Sequence, residues 1–75
     1  MVREQVTDVV AEMVANVMSI DVAVGDKVAV GDQVLLLESM KMEIPVLADV
    51  AGTVKQLRVD TGDVVQEGDV MVTIS

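Results

Sequence analysis

Short valine-rich runs alternate along this chain with Gly-Asp pairs at 25–26, 31–32, 62–63 and 68–69. Glycine accepts positive φ at no steric cost and Asp bonds its local backbone, so each pair predicts a turn. The runs between them predict strands. Asn16 to Val22 alternates moderately, and so does Thr53 to Val59, with Val54, Leu57 and Val59 as its apolar members. Val34 to Leu37 is a continuous apolar run, suited to a strand buried on both sides or to a sandwich corner. Gln5 to Val14 is the one window with mild helical character, and its valines argue against a helix.

An offset of 37 residues lays the chain on itself. Residues 16–38 then face residues 53–75, with identities at Val17/Val54, Val22/Val59, Gly25/Gly62, Asp26/Asp63, Val28/Val65, Gly31/Gly68 and Asp32/Asp69. Upstream, Ala11 faces Ala48 and Val14-Ala15 faces Ala51-Gly52. Valine matches arise easily in such a chain, but two Gly-Asp pairs in register do not. Neither half can bury an apolar face alone, so the two are expected to pack as two small sheets. The expected fold is all-β: a flattened barrel or sandwich of two small antiparallel sheets with pseudo-two-fold symmetry, a barrel-sandwich hybrid of hammerhead shape.

Composition narrows the picture. At 75 residues the chain is expected to be a single domain over 1–75, at a size where one hydrophobic core is barely enough. With no Cys and no His, disulfides are impossible and a zinc site lacks its usual ligands, so packing must suffice. The material is there: 52% of residues are hydrophobic and nineteen are Val, which favours half-buried strands. No aromatic residue offers a stacking platform, and the net charge of −8 disfavours nucleic acid and anionic membranes. Met1 to Gln5 holds no apolar run of signal-peptide length, and no stretch reaches the roughly 18 apolar residues of a membrane span. The expected setting is the cytoplasm, and the isolated chain is expected to be a monomer.

One segment stands outside the repeat: Glu38-Ser39-Met40-Lys41-Met42-Glu43-Ile44-Pro45. The counterpart of Lys41 in the second half would be position 78, past Ser75. Strands Val34–Ser39 and Met42–Val46 would here be joined by Met40-Lys41. A two-residue hairpin turn favours Asn-Gly, Asp-Gly or Gly-X, so Met-Lys breaks the local rule where function can override foldability. The plain alternatives are a surface Lys41 pairing with Glu38 or Glu43, a Glu38 that merely ends a strand, and methionines that fill the core. Two methionines flanking one lysine on a hairpin tip fit those roles poorly, and at least one should be exposed. Met13, Met18 and Met71 carry no such pattern and are expected in the core.

The segment resembles the attachment site of the biotin carboxyl carrier, or biotinyl-lipoyl attachment, domain family, whose pattern is Ala-Met-Lys-Met with a Glu just upstream. Glu38, Met40, Lys41 and Met42 match, Ser39 replaces Ala, and Pro45 falls where the family often has Pro. Ala11-Glu12-Met13-Val14-Ala15 sits where many members have Ala-Pro-Met-Pro-Gly, so the geometry of the first turn is the point of departure. The resemblance covers nearly the whole chain and leaves no room for the protruding segment of some bacterial acetyl-CoA carboxylase carriers. It implies a small stand-alone biotinylated protein, a non-catalytic carrier. Biotin protein ligase would attach biotin covalently to Lys41, with Met40, Met42 and Glu38 aiding recognition. The carrier would then move carboxybiotin between the biotin carboxylase and carboxyltransferase sites of a biotin-dependent carboxylase.

Two other functions compete. A lipoyl carrier domain of a 2-oxoacid dehydrogenase-type complex shares the fold, but its pattern is Asp-Lys-Ala without methionines. An unmodified hammerhead adaptor domain needs no Met-Lys-Met. An enzyme is disfavoured, since no His, Cys or clustered carboxylates form a catalytic constellation.

Overall fold

The structure, a computed structural model, describes residues 6–75. Among these there are eight strands and no helix: β1 (Thr7–Val10), β2 (Ala15–Ile20), β3 (Lys27–Val28), β4 (Gln33–Ser39), β5 (Met42–Leu47), β6 (Gly52–Leu57), β7 (Val64–Val65) and β8 (Val70–Ile74). The window over Gln5 to Val14 holds β1, in keeping with its valines, while Gln5 itself lies outside the described residues.

The eight strands form two four-stranded antiparallel sheets, ordered β1-β8-β6-β3 and β5-β4-β2-β7. The offset of 37 carries β2 onto β6 and β3 onto β7 residue for residue, and it carries one sheet order onto the other. The symmetry is as expected, but the partition differs: each half contributes two strands to each sheet. The cause lies in the turns. Gly25 N–H donates to the Val54 carbonyl and Val54 N–H donates to the Asp26 carbonyl, both at 2.8 Å. Gly62 and Asp63 bracket Val17 in the same way, Gly31 and Asp32 bracket Ala48, and Gly68 and Asp69 bracket Ala11. Every Gly-Asp turn therefore hydrogen-bonds into the other half.

Each turn also closes on itself. Asp26 N–H donates to the Ala23 carbonyl at 3.0 Å, and the Asp26 carboxylate accepts from Ala23 N–H at 2.9 Å. The same pair of bonds recurs at Asp32, Asp63 and Asp69. With φ between 91° and 97° at Gly25, Gly31, Gly62 and Gly68, these are type II turns, whose third position needs positive φ.

The core pairs off across the same symmetry. Val17/Val54, Leu35/Val72, Val34/Met71, Leu37/Ile74, Val28/Val65 and Ala11/Ala48 are all buried. Val34 and Met71 are the residues skipped where the ladders shift, β4 against β5 and β1 against β8. This is how the Val34–Leu37 run puts consecutive apolar residues inside.

Met71 lies in the core as expected, whereas Met18 and Met13 do not: they are 41% and 38% exposed. Met18 follows inward-facing Val17 and points outward by strand alternation, and the bulge between Val17 and Ser19 lets Ile20 turn back onto the core. The counterpart of Met18, Lys55, occupies the matching bulge in β6. Met13 lies in the bend between β1 and β2, the stretch where the family pattern is broken. Ala15, which replaces the family's Gly there, is accommodated and buried. Its counterpart Gly52 is not replaceable in this way, since a Cβ would lie 2.8 Å from the Ser75 carbonyl oxygen.

Gly25→Val and Gly62→Val are expected to cost similar stability, about 1–3 kcal/mol each, because both sites have open space but a φ that a β-branched residue rarely adopts. Urea denaturation measures both, and a large loss at one with none at the other contradicts the equivalence of the two halves.

Candidate functional site

The tip of the β4–β5 hairpin holds the Met-Lys-Met segment. Ser39 pairs with Met42, so Met40 and Lys41 are the two central residues of the loop. Both are left-handed, with φ of 54° and 65°. Two left-handed central residues make a type I′ turn, normally built from Asn and Gly. A side chain in this region costs roughly 1–2 kcal/mol per residue. The sequence breaks the turn rule here, and the backbone carries the strain.

The strands supply the holding force. β4 is an inner strand, paired to β2 on one side and β5 on the other, and Leu35 and Leu37 anchor it in the core. A one-residue slip would turn both leucines outward. The tip is fixed at its base and bare at its apex. Met40 is 90% exposed and Met42 66%, so neither fills the core. Lys41 is exposed too, and among the described residues its amine has no hydrogen bond or ion pair. The reading of Lys41 as a partner of Glu38 or Glu43 is not met.

Glu38 does not end its strand. It stands directly opposite Asn16 on β2 and Glu43 on β5, and Asn16 in turn faces Val64 on β7. Leu37 points inward, so the row Glu43, Glu38, Asn16, Val64 faces out. Like charges directly opposite one another in a sheet are destabilising, on the order of 0.2–1 kcal/mol. Two carboxylates and a strained lysine thus share one hairpin end without pairing. A two-residue loop at 40–41 forces residues 38 and 43 to face each other. No group of three or more His, Cys, Asp or Glu able to hold a metal occurs among the described residues.

A bare amine on an exposed turn is chemically open to acylation. The family model described as biotin-requiring enzyme matches residues 5–74, so this chain belongs to the biotin/lipoyl attachment family. It is 56% identical over 68 residues to the biotinylated protein TB7.3 homolog of Mycobacterium leprae, covering 91% of this chain and 96% of that one. It is 45% identical over 64 residues to the biotin/lipoyl attachment protein of Bacillus subtilis, covering 85% of this chain and 88% of that one. Among solved structures, the Kluyveromyces lactis urea carboxylase superposes with a TM-score of 0.89 at 31% identity. That match covers 100% of this chain and 7% of the carboxylase.

The double variant Met40→Asn, Lys41→Gly, which restores the favoured turn residues, is expected to stabilise the fold by about 1–3 kcal/mol. Its urea midpoint should rise above the wild type's, and an unchanged or lower midpoint would show that the tip is unstrained.

Proposed function

We propose that this chain is a single-domain, non-catalytic biotin carrier loaded on Lys41. The supporting observation is the tip itself: an exposed, unpaired amine on a left-handed two-residue turn, flanked by exposed Met40 and Met42. The family, the biotinylated relatives and the likeness to carboxylase structures support the choice of biotin. The residues fit such a group, since an amide needs only an accessible amine and the tip offers one with no competing carboxylate contact among the described residues.

Biotin protein ligase presents biotin with its acyl carbon activated as an adenylate. The Lys41 amine, having lost its proton to the ligase site, attacks that carbon; the N–C bond forms and the adenylate leaves as AMP. The loss of one cation takes the formal net charge from −8 to −9. Met40 and Met42 give the ligase apolar, adaptable contacts, and Glu38 together with Glu43 marks the outward face. Attached biotin supplies the site that accepts a carboxyl group at a biotin carboxylase and yields it at a carboxyltransferase. The protein contributes presentation and effective concentration.

Incubation with biotin ligase, ATP and biotin is expected to add one biotinyl group by intact mass, and Lys41→Arg should abolish it. Labelling at Lys27 or Lys55 counts against the site, and preferential lipoylation of the wild type would replace biotin by lipoate. Position should matter as much as identity. Exchange of Met40 and Lys41 keeps composition, charge and two non-glycine residues at positive φ, so circular dichroism should report an unchanged fold. The amine moves by a whole residue, and since about 1 Å of misplacement can cost on the order of a hundredfold, the initial rate of biotin transfer should fall at least that far. Equal rates would mean that the ligase reads only an exposed lysine in a methionine-rich stretch.

A further inference from the structure

Away from the tip, the sandwich is open along one side. β1 is the outer strand of one sheet and β5 the outer strand of the other, each bonded to a single neighbour. A groove of about 280 Å³ runs between them. Its floor reaches the buried side chains of Leu37 and Met71. Its walls carry Val10, Leu47 and Met13, which are 44%, 47% and 38% exposed. The lining is part apolar and part acidic. The groove straddles the internal symmetry, because Val10/Leu47 and Glu12/Asp49 are counterparts at the offset of 37 and line it together.

Two features define what the groove accepts. The first is charge. Asp8, Glu12 and Asp49 line it, with no Lys or Arg among the described residues that do so. Asp8 accepts a hydrogen bond from the Thr73 hydroxyl at 3.0 Å, while Glu12 and Asp49 have no partner among the described residues. The second is the state of the edges. Ser39–Met42 closes the loop and shares ladder bonds, as does every second pair after it, so Pro45 opposite Leu36 turns its nitrogen to the open side, with no N–H to offer. The β5 edge therefore resists continuous strand addition, and along it an occupant is read by its side chains. The register shift opposite Val9 and Val10 lies on β8, where Met71 is skipped, and β1 itself runs unbroken.

We propose that the β1–β5 groove is a docking site for an extended segment of a partner protein in which apolar residues alternate with Lys or Arg. Alternation sends the apolar side chains into the groove and the cations to its acidic rim. A second copy of this chain is disfavoured, since each copy carries a net charge of −8 and the same rim. The proposal does not rest on the loading of Lys41, and its test uses the unmodified chain.

The probe is a short blocked peptide alternating lysine and valine, titrated into isotope-labelled protein and followed by NMR. Shifts are expected at Val10, Met13, Ile44 and Leu47, and not at the tip residues Ser39 to Met42. Peptides alternating glutamate with valine, or lysine with serine, should bind at least about tenfold more weakly. Leu47→Lys should weaken the lysine–valine peptide by a similar factor with an otherwise unchanged spectrum. If that variant unfolds, the pair Glu12→Gln, Asp49→Asn tests the same rim through charge alone and should also weaken binding. Equal binding of the lysine–serine peptide overturns the proposal. So do shifts spread evenly over the turns at Asp26, Asp32, Asp63 and Asp69. A dimer forming on concentration through these same groove resonances overturns it in favour of a second copy.

Discussion

Val17 and Val54 are each held between the N–H of a glycine and the carbonyl of an aspartate that belong to the opposite half of the chain. Ala11 and Ala48 are held the same way. These four brackets lock the halves into one another, and the shared sheets, the paired core and the placement of β4 depend on them. With Val17 fixed by the turn at Gly62 and Asp63, β2 is set; β2 then sets β4, and β4 sets the hairpin. The exposed lysine is thus positioned by hydrogen bonds many residues away, and the side chains around it need not do so.

The site is locally unfavourable in two ways. Two side-chain-bearing residues sit where the backbone prefers glycine, and two carboxylates face each other one pair below. Neither is relieved by a contact of Lys41. Strain of this kind persists only where the surrounding structure over-determines it, and a central strand with Leu35 and Leu37 in the core does so. An amine that neighbouring carboxylates do not engage is available to an incoming enzyme without first breaking an ion pair.

Much of this was legible in the residues. The offset repeat gave the symmetry, the Gly-Asp pairs gave all four turns, and the unrepeated segment at 38–45 gave the hairpin, with Met40-Lys41 as its ill-suited loop. What stayed hidden were interactions with no local signature. A Gly-Asp pair announces a turn but not the remote residue that its N–H and carbonyl will bracket, so the exchange of strands between halves could not be seen. Met18 read as core because methionine usually is; only its counterpart, a lysine at position 55, hinted that the position faces water. The groove between β1 and β5 depends on which strands end up at the edges, and that follows from the strand exchange.

The order of the strands also constrains when the molecule can exist. β8, the latest strand in the chain, lies between β1, the earliest described, and β6. The sheet containing them cannot assemble as the chain is made, because its middle is made last. Such long-range pairing folds slowly and late. The β4–β5 hairpin shares its core with that sheet, so the base of the tip is fully packed only once β8 has paired, and an enzyme that requires the finished fold acts after that strand is in place.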